Sequence, residues 1–255
     1  MSRASDVVSS AVGSLDRLPV APTIFAELQK TLDDKRAGLG DVARVLERDP
    51  ALLAKTIRLA SSAFFGSARI SSCEQAAARL GLRALQTLAL TISIFDTVDK
   101  KGLPASINVD AEQAHAVVVG ANARAIDPDD GDAFMAAMLC DVGRLALAVA
   151  APDVFTKVHG TPRRTGESAH EVEQRMLGTT HAEIGAFLLG SWGLPPSVVE
   201  AVRAHHRPEL ASTPHRRLVA VVHVASSAAD EHAPNFAALA KIGAHDDAIR
   251  WHASL

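Results

Sequence analysis

Apolar residues return every three or four positions along almost the whole chain. No stretch alternates with a period of two between turn residues, so the pattern predicts helices and no sheet. After a lead-in, LPVAPT (residues 18–23), Thr23 can cap a helix that carries Ile24, Leu28 and Leu32 on one side. Gly40-Asp41 starts a second helix, with Val42, Val45 and Leu46 apolar. Asp49-Pro50 reads as an N-cap with proline at the first helical position, heading a helix with Leu52, Leu53, Thr56, Ile57 and Leu59. That helix runs into SSAFFG, where Phe64 and Phe65 read as a core plug at a helix end. Ser72 with Gln75 makes a capping box. Gly81 then breaks the chain in front of LRALQTLALTISIF, whose Leu82, Leu85, Leu88, Ala89, Ile92 and Phe95 fall at helical spacing.

The polar stretch DTVDKKGLPASIN, residues 96–108, is the best boundary. It divides the chain into an N-terminal lobe over 15–98 and a C-terminal lobe over 109–255. The second half reads as a helix from Asp110 to Ile126, one long helix over 132–150, and a loop, HGTPRRTGE. Two helices headed by the capping boxes Ser168/Glu171 and Thr180/Glu183 follow. Then come a proline-led helix in GLPPSVVEAVRAHH and a last clear one in RRLVAVVHVASSAADE. The expectation is an all-α bundle of about ten helices in two packed lobes. The tail after Pro234 has too weak a period to place.

Composition narrows the function. A net charge of -3 without a basic block gives no general electrostatic grip on nucleic acid. Tyrosine is absent and aromatics make up 4%, so platforms for base stacking are scarce. Cys73 and Cys140 are too few for a disulfide framework. The N-terminus lacks a signal-peptide core, and no apolar run is read as reaching the roughly 20 residues that span a bilayer, so the expectation is a cytoplasmic protein away from membranes. The first half holds no glycine-rich phosphate loop and no recognisable nucleophile–base spacing.

Candidate chemistry sits in the second half. His115, Cys140-Asp141, His181 and His205-His206 lie on different helices and could converge inside a bundle, as metal ligands on facing helices do. Of the eleven histidines, His159, His170, His215, His232, His245 and His252 read as surface residues.

The order His115, Cys140-Asp141-Val142-Gly143-Arg144, His181-Ala182-Glu183-Ile184-Gly185, Trp192-Gly193-Leu194-Pro195 and His205-His206 resembles the HD phosphohydrolase superfamily. More narrowly, LPVAPTIFAELQKTL, VARVLERDPALLAKTIRLASSAFFG and ISSCEQAAARLGLRALQTLAL resemble the HDOD family, HD-related output domains of bacterial signalling, over about residues 15–230. Ser61 stands where that family has Asn. The resemblance implies an all-α fold, a regulatory role and a scaffold that has lost parts of a metal site. Cys140 replaces the His of the His-Asp pair. The later Asp would fall near Ser226, and HHRPEL lacks the Gly-Tyr-Pro signature of cyclic-di-GMP phosphodiesterases. The expectation is a non-catalytic signalling module that binds a protein partner or small signal and needs no cofactor. A residual site for iron, manganese or zinc on His115, Cys140, Asp141, His181, His205 and His206 stays open. Two rivals stand beside it. One is a metal-dependent phosphohydrolase or cyclic-dinucleotide phosphodiesterase. The other is a nucleotide receptor that uses His205, His206, Arg144 and Arg203 for phosphate.

Overall fold

The computed structural model describes residues 23–34, 36, 38–66 and 70–255, which are all-helical with no strand among them. The LPVAP lead-in lies outside the described residues. In chain order the helices are α1 (Thr23–Asp33), α2 (Leu39–Leu46), α3 (Pro50–Ala60), α4 (Cys73–Leu80), α5 (Leu82–Asp96), α6 (Val109–Ile126), α7 (Gly131–Leu139) and α8 (Val142–Ala150). They continue as α9 (Pro152–His159), α10 (Ala169–Leu177), α11 (His181–Ser191), α12 (Pro196–Ala204), α13 (Arg216–Ala229), α14 (Phe236–Lys241) and α15 (His245–Ser254).

Local chemistry explains most helix starts. The Asp49 side chain accepts from Leu52 N, and Pro50 occupies the first turn, where its missing N–H costs nothing. Ser72 caps Gln75 N, but Gln75 Oε1 reaches back to Ser71 N at 2.9 Å rather than to Ser72, so the expected box is half formed. Gly81 ends α4 at φ +86, a backbone that glycine adopts without a Cβ penalty. Phe65 is buried edge-on to Phe134 at 5.8 Å, whereas Phe64 is 56% exposed, so only one of the pair plugs the core.

Helix α5 is buried from Ala84 through Phe95, including Gln86, Thr87, Thr91 and Ser93. It packs α1, α3 and α4 on one side and α6 and α7 on the other, which leaves it no solvent face. Thr87 and Ser93 donate to the carbonyls four residues back, and Gln86 bonds Gln29 at 2.9 Å.

Residues 131–150 differ from expectation. The single helix breaks at Cys140-Asp141 into α7 and α8, with Asp141 at φ -98, ψ 6, the sparsely populated bridge region. These 20 residues are long and apolar enough to cross a bilayer, which corrects the reading that no such run exists. However, 83% of the apolar window is buried in the protein, as for a core helix. The unplaced tail forms α14 and α15. They pack Leu239, Ile242 and Ala248 against Ala220 and Val224 of α13, and Arg217 lies over the Trp251 ring at 5.3 Å.

A candidate metal centre

Asp141, His181, His205 and His206 each stand at a helix end or break. Asp141 is the first residue outside α8, and its side chain makes no capping bond, so it is free to turn into the bundle. His181 is the first residue of α11, behind the Thr180/Glu183 capping box. His205 ends α12, and His206 follows it. Helices α8 and α11 cross at Gly143 and Gly185. A Cβ on Gly143 would overlap the His181 carbonyl and press on Gly185 N at 2.7 Å. The glycine of the Cys-Asp-Val-Gly run thus brings the Asp141 turn against the His181 turn.

Asp141, His181, His205 and His206 each offer one donor atom, and these four atoms lie within 4.8 Å of one another. Asp141 Oδ1 is 3.1 Å from His181 Nε2 and 3.8 Å from His205 Nε2. The Nε2 atoms of His181 and His206 are 2.9 Å apart. His205 Nδ1 faces the Val202 carbonyl at 2.7 Å and must donate to it, so its Nε2 carries a lone pair. That Nε2 is buried without a hydrogen-bond partner and faces the Asp141 carboxylate. A lone pair aimed at an anion is unfavourable unless a cation lies between them. The donor set therefore fits a divalent ion.

The shell behind these residues is polar. Glu173 of α10 is fully buried. Its Oε2 accepts from His181 N at 2.8 Å and from His181 Nδ1 at 2.6 Å. This is the carboxylate–histidine pairing that orients metal-ligating imidazoles. Burial opposes charge on His181, but Glu173 and Asp141 outweigh it and raise the imidazole to about 9. Burial also pushes Asp141 upward, yet hydrogen bonds from His115 and His181 hold it well below the usual carboxylate range. Burial lowers His205 to about 4 and depresses His206. The two form a cluster of neutral donors around one carboxylate.

His115 stands outside this group of four. Its Nε2 lies between Asp141 Oδ2 at 3.5 Å and Asp230 Oδ1 at 3.6 Å. Ser226 is buried near the position expected for the closing Asp, and Asp230, four residues on, caps the C-terminal end of the same helix. The Asp230 carboxylate therefore reaches His115 but is not among the four converging donors.

Cys140 is also outside the donor group. Its Sγ donates toward Asp141 Oδ2 at 3.6 Å, and the residue borders a small void of about 10 Å³. Burial pushes its thiol well above the ordinary range, and burial raises Cys73 to about 11. Both thiols should therefore resist iodoacetamide at pH 8 in the folded protein and react in denaturant. Mass spectrometry reads the result, and rapid native modification of Cys140 would contradict the burial.

An open cleft of about 730 Å³ lies over the cluster. Arg144 and Arg163 both line it, and Arg144 is held in a two-point pair by Glu112 at 3.1 Å. The structure does not bring Arg203 to this cleft; its Nη2 reaches the Leu210 carbonyl at 3.5 Å. Three histidines read as surface residues belong to the site, and His232 is the one that only lines the cleft. His159 stacks on Phe155 and points at Glu173 Oε1 from 3.5 Å, and His170 stacks on His206 at 4.3 Å. Sequence reasoning missed Glu173, though a glutamate among Val172, Met176 and Leu177 on an apolar stripe was a readable signal.

These features define a helical protein with a histidine–aspartate cluster beneath an open cleft. The sequence model of the HDOD domain matches residues 18–208, and the chain belongs to that family. A solved HDOD domain protein of unknown function from Geobacter sulfurreducens is 25% identical with a TM-score of 0.74, covering 89% of this chain and 77% of its own. A protein from Shewanella amazonensis SB2B, provisionally named a phosphohydrolase, is 23% identical with a TM-score of 0.68, covering 97% and 98%; at that identity the likeness shows the fold alone. An uncharacterized protein from Treponema pallidum (strain Nichols) is 25% identical over 222 residues. The alignment takes in 85% of this chain and 43% of that relative, so this chain spans less than half of its length.

Proposed function

We propose that the protein is a signal-transduction module that holds one divalent transition-metal ion on Asp141, His181, His205 and His206. It binds a phosphate-bearing ligand in the cleft above that ion without turning it over. The observation that carries this reading is the buried, unpartnered Nε2 of His205 facing Asp141. Three imidazoles and one carboxylate suit zinc, iron or manganese. When bound, the ion would supply positive charge at the floor of the cleft, which attracts a phosphate without taking it as a ligand. Arg144, fixed by Glu112, and Arg163 then face the phosphate oxygens across the cleft. Glu173 keeps the His181 ring oriented. Four protein donors would match the ligand number of structural zinc sites, whereas catalytic ones keep a position for water or substrate. Cys140, standing where an HD enzyme has His, remains a thiol directed at Asp141.

One observation favours a second reading, a metal-dependent phosphohydrolase: His115 lines the cleft between two carboxylates, where a general acid or base could stand. p-Nitrophenyl phosphate separates the two. With ligand at about 100 times its Kd, the metal-loaded protein should gain roughly 5–10 °C in Tm, with no nitrophenolate released. Repeated turnover would favour the hydrolase. No shift with or without metal would overturn phosphate binding in this cleft.

A further inference from the structure

His223 lies on α13, is nearly fully buried and borders the cleft, yet it is not one of the four donors. Its two ring nitrogens are both engaged. Nδ1 is 2.6 Å from the His205 carbonyl, and Nε2 is 2.9 Å from the backbone N of Asn235. The backbone N–H of Asn235 can only donate, so Nε2 must accept and the proton must sit on Nδ1. That is the tautomer able to donate to the His205 carbonyl. The Asn235 amide thus selects the ring state that grips His205.

The grip falls where it matters. The His205 carbonyl is at the C-terminal end of α12, where the last carbonyls have no partner within the helix. The same residue, with its neighbour His206, supplies two of the four converging donors. His205 is held twice: by its own Nδ1 on the Val202 carbonyl, which aims the ring, and by His223 on its carbonyl, which fixes the turn. Asn235 starts α14, its side chain accepting from Ala238 N, so the tether begins in a segment beyond residues 18–208, where the family match ends.

We infer that His223 is a positioning residue that couples the C-terminal helices α14 and α15 to the metal centre by fixing the His205-His206 turn. The inference rests on the reading that these histidines hold metal. It predicts that the tail beyond the matched region sets metal affinity without supplying a ligand.

The test measures zinc affinity by competition with a chromogenic chelator, in full-length protein prepared without a metal-affinity tag. His223→Leu removes the donor and the acceptor and should weaken zinc about 10–100-fold, the range for residues that support metal ligands. His223→Gln restores one N–H donor and one carbonyl acceptor and should recover most of that loss. Should His223→Leu fail to fold by circular dichroism, a second comparison serves. Asn235→Pro and Asn235→Ala both remove the capping side chain, but only proline removes the N–H, so proline must weaken zinc binding more. Wild-type binding with equal affinities for the folded His223→Leu variant, or for the two Asn235 variants, would overturn the coupling alone. Wild-type protein that binds no zinc would overturn the metal reading itself. A nitrogen NMR measurement that places the His223 proton on Nε2 would refute the tether whatever the metal result.

Discussion

Asp141→Asn abolishes tight metal binding while leaving the helical bundle folded. The substitution keeps the shape of the side chain but removes the only carboxylate among the four converging donors. An amide oxygen is a weaker ligand, and three imidazoles, neutral once they ligate, offer no negative charge to balance a divalent cation. The expected loss exceeds about 100-fold in affinity, or about 2.7 kcal/mol. The far-ultraviolet circular dichroism should stay unchanged, because Asp141 sits at the break between α7 and α8 and makes no capping bond there. Chelator competition reads the affinity. Undiminished binding would mean that the ion is held by other residues.

Gly143→Ala has the largest expected effect on stability. The new Cβ would meet the backbone of α11 at the His181 carbonyl and Gly185 N, and neither can swing aside as a side-chain end could. The α8–α11 crossing must open, at a cost of about 3 kcal/mol or more, equivalent to roughly 6–12 °C in Tm for a chain of this size. The same opening carries His181 away from Asp141, so the surviving folded protein should also bind metal more weakly. A melting scan by circular dichroism checks the first part. A Tm within about 2 °C of wild type would show that the helices are not packed this closely. The two effects together explain why MLCDVGRLAL combines core residues with a site: Asp141 supplies the donor and Gly143 lets it approach its partners.

Much of the helical framework was legible because its signals are local. Asp49-Pro50, Gly81, and the Ser168/Glu171 and Thr180/Glu183 boxes act within a few residues of themselves, and the structure uses them as read. The break at Cys140-Asp141 was hidden because the apolar pattern continues through it, and only packing against α11 shows why it is needed. The tail was hidden because α14 and α15 are short and gain their apolar face only against α13.

The site was legible in its order but not in its geometry. Periodicity could not set Arg203 aside, since it stands three residues before His206 on the same helical face; only the turn after α12, which brings the Leu210 carbonyl to its guanidinium, takes it out of the cleft. For Asp230 the spacing did help: four residues beyond Ser226, it returns to the same face. The apolar stripe marks Glu173 as buried but not what it faces; it joins the site, with His159 and His170, through contacts between α9, α10 and the His181 and His206 turns, which no spacing in the sequence encodes.

The most direct test of the metal centre is the metal content of the chain after purification without a metal-affinity tag, incubation with zinc, iron or manganese and desalting, read by inductively coupled plasma mass spectrometry. The account expects about one ion per chain, held through desalting. A folded protein that emerges with only trace metal under every loading condition would contradict it and leave Asp141 and its three histidines as a hydrogen-bonded polar cluster.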